Sequence, residues 1–170
     1  MVKAIVYTTN TGHTAEYAAL LGKETGLPVF PLSQAAIQLK KNTPIIYLGW
    51  IMANRIKGYR KACKKFHVRA VCSVGMLENG GRAHEIREAN HIPENTQLFT
   101  LQGGFDIRKL SGPYKWIMKP MVKVLIRDLS NQSEKTQKEI ETIRILQNGG
   151  SSVHRENLSE VLSWYQMLSN

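Results

Sequence analysis

Thiol chemistry is scarce: Cys63 and Cys72 are the only cysteines in 170 residues. They form no Cys-x-x-Cys pair and lack metal-ligand spacing, so both read as small core or boundary residues. His13, His67, His84, His91 and His154 are scattered along the chain, which argues against a zinc site. No apolar run reaches the roughly 18–20 residues that a bilayer-spanning helix needs. The first residues lack the apolar stretch and cleavage site of a signal peptide, so a cytoplasmic protein is expected. No repeat, low-complexity tract or long linker divides the sequence, and one domain over residues 1–170 is the natural reading. Acidic residues are also in short supply. Lys and Arg total 23 and Asp and Glu total 13, giving 23 − 13 = +10. Such a balance draws a chain toward anions: nucleic acid, acidic headgroups or an acidic substrate. Nucleic acid is not an expected partner, because no helix-turn-helix or RNA-binding motif occurs and few aromatics interleave the cations.

What is present is an ordinary hydrophobic content of 42%, enough for a continuous core at this length. Val2–Thr8 is nearly all apolar, the pattern of a strand buried on both faces. A polar turn follows, and Tyr17, Ala18, Leu20 and Leu21 then fall at helical spacing to about Glu24. Gly26 and Pro28 end that helix. Further strands are expected at Val29–Leu32, Thr43–Trp50, Val68–Val74 and Thr96–Leu101, with helices at Arg55–Phe66 and about Arg82–Asn90. Five strands alternating with helices mean right-handed crossovers and a doubly wound parallel sheet, an α/β fold. The last third reads as helical: Pro113–Leu129, Glu134–Gln147 and Asn157–Leu168.

Ligands of open parallel sheets sit beyond the carboxyl ends of the strands. The loop after the first strand lies there and reads Thr9-Asn10-Thr11-Gly12-His13-Thr14. It offers hydroxyls, an amide and backbone N–H groups at a helix N-terminus, where the dipole favours an anion. Gly12 lets the backbone approach closely. No Walker loop and no Gly-x-Gly-x-x-Gly is present. A phosphate held by neutral donors is the reading; a plain polar helix cap is the alternative.

The pattern Ser/Thr-x-Thr-Gly-x-Thr is the flavodoxin phosphate loop, and this sequence resembles that superfamily. The resemblance implies a flavodoxin-like five-stranded sheet of order 2-1-3-4-5 and FMN as cofactor. It also implies that two further loops hold the isoalloxazine ring: Trp50, Ile51, Met52, Ala53 and Asn54 after the third strand, and Ser73, Val74, Gly75 and Met76, continuing to Asn79, after the fourth. Flavodoxin carriers are usually acidic, unlike this chain. With Leu101-Gln102-Gly103-Gly104-Phe105-Asp106 and Tyr114-Lys115-Trp116-Ile117-Met118-Lys119, it is more similar to the menaquinone-dependent protoporphyrinogen IX dehydrogenases and related short flavodoxin-domain proteins. That implies an oxidoreductase passing electrons from a reduced, protoporphyrinogen-like substrate to a quinone. The third-strand loop departs from the family's Gly-x-Ser, reading Gly49-Trp50-Ile51. A flavodoxin-type carrier without its own substrate, and a flavin-free binding module, remain as alternatives.

A helical insert at about 106–150 precedes the last helix. In it Tyr114, Ile117, Met118, Met121, Val122, Leu125 and Leu129 recur at steps of three and four, while Lys115, Lys119, Lys123 and Arg127 take other faces. Pro120 is expected to kink or break the helix. Such an element packs on the domain, pairs two copies into a homodimer, or lies peripherally on a membrane surface. A second basic run, Arg55 to Arg69, reads as a solvated helix face. Arg55 is the candidate partner for a substrate carboxylate; no residue is assigned as acid, base or nucleophile.

Overall fold

Ala4, Ile5 and Val6 have no exposed surface, and neither have Ile45 to Leu48. Only a sheet covered on both faces does this to consecutive strand residues. The computed structural model describes residues 1–76, 82–106, 113–131 and 136–168. Its strands are β1 (Ala4–Thr8), β2 (Val29–Pro31), β3 (Pro44–Met52), a short β4 (Arg55–Ile56), β5 (His67–Gly75) and β6 (Gln97–Gln102). The parallel order is β2-β1-β3-β5-β6, with β4 antiparallel on β3. Leaving out the β4 hairpin, this is the expected 2-1-3-4-5 order of a flavodoxin-like sheet.

Side chains alternate between two cores. Ile5, Ile46, Leu48, Cys72 and Val74 face α1 (His13–Thr25) and α7 (Ser159–Met167), reached through a 3₁₀ turn at Arg155–Leu158. Ala4, Val6, Ile45, Tyr47 and Val71 face α2 (Leu32–Gln38), α3 (Tyr59–Lys65) and α4 (Ala83–Asn90). Val68 and Ala70 lie in opposite cores although two residues apart, because the β3–β5 register shifts between Ile45 and Ile46.

Three local expectations change. Arg55–Phe66 is not one helix: Arg55–Ile56 returns along β3, and α3 starts only at Tyr59. The α2 helix has no counterpart in the sequence reading. Of the two outcomes expected at Pro120, a kink or a break, the break does not occur: α5 (Tyr114–Ser130) runs through it. Pro120 and Trp116 are both exposed, so water can satisfy the carbonyl that proline leaves without a donor. α5 packs on α6 (Gln137–Asn148) through Met118, Val122, Ile145 and Leu146. At the base of this pair β7 (Gly104–Phe105) and β8 (Gly150–Ser151) form an antiparallel bridge.

Candidate functional site

Sheet register brings the three sequence-predicted loops to one edge. Thr8 pairs with Gly49, Gly49 with Ser73, Trp50 with Val74 and Gly75 with Gln102. The chain therefore leaves β1, β3 and β5 side by side, at the carboxyl end where α/β sheets bind ligands.

Along the first loop Thr9 is exposed, Asn10, Thr11 and Gly12 are half-buried, and His13 and Thr14 are buried. The Gly12 N–H donates to Thr9 Oγ1 at 3.1 Å, which folds the loop into a tight turn. Gly12 has φ +102°, a value few other residues tolerate, and a Cβ placed there would meet nothing within 4 Å. No side chain caps α1, and the positive end of its dipole lies at this loop. Glu16, in that first turn, is turned aside: its carboxylate lies 4.0 Å from His13 Nδ1 and accepts from Ser151 Oγ at 3.3 Å. Open space, threonine hydroxyls and an uncapped helix start fit a phosphate monoester.

Beneath this loop lies a knot that the sequence reading missed. Thr8 Oγ1 and Tyr47 Oη are 2.8 Å apart, and both point to the Lys57 carbonyl, at 2.7 and 2.6 Å. Two hydroxyl protons serve three contacts, so two are hydrogen bonds at any moment. Burial holds the Tyr47 phenol well above its usual range. Gly58 follows at φ +82°; a Cβ there would lie 2.7 Å from Thr8 Cγ2 and closer still to the Tyr47 hydroxyl. A second knot joins α1 to the end of β6. Tyr17 Oη donates to the Gln102 carbonyl, approaches the Ser152 carbonyl at 3.2 Å and accepts from Asn157 Nδ2 at 2.6 Å. Gly103 and Gly104 then pass over His13: a Cβ on Gly104 would come within 2.8 Å of the imidazole Cε1.

The two further loops that the sequence marked are built differently from each other. Ala53 and Asn54 both take positive φ, +48° and +59°, making the two-residue turn of the β3–β4 hairpin. Trp50 and Met52 are half-buried on its β3 arm, and Lys57 Nζ sits 5.6 Å from the centre of the Trp50 ring. Asn54 faces α4: its amide donates to Glu85 at 3.0 Å and its carbonyl accepts from Asn90 at 2.7 Å. Arg82 beside Glu85 holds that carboxyl below the usual range. Ser73 and Val74 are buried strand residues, the Ser73 hydroxyl donating to the Phe99 carbonyl at 3.1 Å. Met76 is half-buried and packs on the α5–α6 cluster, so the insert borders this edge. Leu77 to Asn79 lie outside the described residues. Arg55 is exposed on β4, across from Met52.

Among the described residues no group of three or more His, Cys, Asp or Glu is placed to hold a metal ion, and no helix is long and apolar enough to cross a membrane. Compared with protein-family models, curated proteins and solved structures, the chain matches none.

Proposed function

We propose that this chain is an FMN-dependent oxidoreductase that passes electrons between a reduced, protoporphyrinogen-like substrate and a quinone. One observation carries the flavin reading. The Thr9–Thr14 loop opens an uncapped helix at the carboxyl edge of the sheet, with Gly12 at φ +102° and free space above it. Hydroxyls and N–H groups of Thr9, Asn10, Thr11, Gly12, His13 and Thr14 hold the phosphate. Trp50, Ile51, Met52, Ala53 and Asn54 form one wall for the ring, and the end of β5 at Gly75 and Met76 the other; Ser73 and Val74 are buried beneath it in the sheet and support that end without facing the ring. FMN, when bound, supplies the redox chemistry; the chain positions it and excludes water. The quinone reading rests on the insert. α5 borders the Met76 loop and exposes Trp116, Ile117, Met121 and Val124 beside Lys119, Lys123 and Arg127. That face suits peripheral contact with a membrane in which a quinone dissolves.

The test is an absorbance spectrum and a melting curve of purified protein, with and without FMN. At 100 times its Kd a ligand stabilises by about 2.7 kcal/mol, which in a chain of this size raises Tm by about 5–10 °C. Absence of both flavin absorbance and a Tm rise would overturn the proposal. Flavin binding without turnover on quinones would instead favour a carrier with no substrate of its own.

A further inference from the structure

At the opposite end of the sheet a cavity of about 590 Å³ opens between α3 and α4. It is lined from α3, the start of β5 and the turn that leads from α4 into β6. β5 runs nine residues from here to the candidate flavin edge, about 26 Å of strand. The volume falls within the range of small-molecule sites, roughly 300–1,000 Å³.

The lining has two characters. Tyr59, Phe66 and Val68 are buried and make an apolar floor. Arg60, Lys64, His67 and His91 are exposed and make a rim of donors, two of them cationic side chains. No lining residue is acidic; Glu94 belongs to the same turn but does not face the cavity. The wall is braced. The Arg87 guanidinium donates to the carbonyls of Ile92, Pro93 and Thr96 at 3.3, 2.7 and 3.2 Å. An inorganic anion would leave the floor uncovered, and an apolar cation would meet Arg60 and Lys64. What matches both parts is an apolar body with one anionic head.

We propose that this cleft is a second binding site, distinct from the flavin edge, for a small amphiphilic carboxylate. Its head is held by Arg60 and Lys64 with the two imidazoles, and its apolar body lies on Tyr59, Phe66 and Val68.

A natural reporter sits in the cleft. Cys63 lines it and is exposed, whereas Cys72 is fully buried, its thiol pushed up to about 12. Alkylation of the folded protein therefore reads Cys63, and any Cys72 modification reads unfolding. The experiment measures Cys63 alkylation by iodoacetamide, mapped by mass spectrometry, with decanoate as the probe and its Kd taken from calorimetry. At about four times that Kd, occupancy slows the reaction about fivefold. Arg60→Glu/Lys64→Glu weakens decanoate binding by about tenfold or more and removes the protection. Lys119→Glu/Lys123→Glu makes the same charge change on α5 and keeps it. Decyltrimethylammonium, inorganic phosphate and saturating FMN leave the rate unchanged. Equal rates with and without decanoate would overturn the proposal. So would equal protection by the ammonium analogue, protection by FMN, or Cys72 alkylation appearing with decanoate.

Discussion

Gly12 and Gly58 both take positive φ, but only one is crowded. Around Gly12 a methyl group would find open space, so Gly12→Ala pays chiefly backbone strain. Around Gly58 the same methyl would meet Thr8 and the hydroxyl of Tyr47, which cannot retreat without breaking the contacts to Lys57. Gly12→Ala should therefore cost about 1–2 kcal/mol and Gly58→Ala about 3–5 kcal/mol, strain and overpacking adding in the second. Chemical denaturation of the two variants checks the order, and equal losses would mean that the Thr8–Tyr47–Lys57 knot is soft. Gly12→Ala should also shrink the FMN-induced Tm rise, since an added Cβ stands where a phosphate would approach. The sequence marked Gly12 because its neighbours in the chain are turn residues. It could not mark Gly58, whose crowding comes from residues distant in sequence.

Elements were legible wherever one periodicity ruled. β1 and β3 are nearly continuous apolar runs, β5 is apolar apart from His67, Arg69 and Ser73, and α1 has Tyr17, Ala18 and Leu21 on one face. The Arg55–Phe66 segment failed because tertiary bonds override its helical look. Asn90, buried on α4, accepts from the Ile56 N–H at 2.8 Å and donates to the Asn54 and Ile86 carbonyls, each at 2.7 Å. Its amide thus holds the hairpin that carries Trp50 and Met52. Nothing in the local sequence of Arg55–Ile56 announces a partner so far along the chain. Loss of that amide leaves the buried Ile56 N–H and the Asn54 carbonyl without their partner, whereas the Ile86 carbonyl keeps its helical bond, so Asn90→Ala should destabilise by about 2–3 kcal/mol. Hydrogen exchange at the Ile56 amide should quicken in step, because the hairpin opens before the sheet does. Asn95→Ala, exposed on the turn that follows α4, is the control and should change stability by less than about 0.5 kcal/mol. An Ile56 amide as protected in Asn90→Ala as in the wild type would show that the hairpin is held by other means.

The molecule as a whole carries +10, and where those charges stand matters more than their sum. On α5 the buried residues Met118 and Val122 face α6, while Trp116, 79% exposed, stands outward with Ile117, Met121 and Val124. Lys119, Lys123 and Arg127 are exposed on the same helix, Lys119 Nζ being 5.9 Å from the centre of the Trp116 ring. The periodicity of this stripe is legible in the sequence but its division is not, because an apolar residue at helical spacing looks alike whether it meets α6 or solvent. An anionic bilayer would gain about 1 kcal/mol from each cation near its surface, so three cations stand for about 3 kcal/mol, or roughly a hundredfold in partitioning. The protein should float with vesicles rich in anionic lipid and stay at the bottom of the gradient with neutral ones. Lys115→Glu/Lys119→Glu/Lys123→Glu should lose flotation. Trp116→Ala should weaken it by less, since the ring contributes area and not charge. Raising salt from 0.1 to 1 M shortens the screening length from about 10 Å to about 3 Å and should release the wild-type protein. If wild type and the triple variant both remain soluble beside anionic vesicles, α5 serves packing or pairing, and the proposed quinone would have to reach the Thr9–Thr14 edge without a membrane surface.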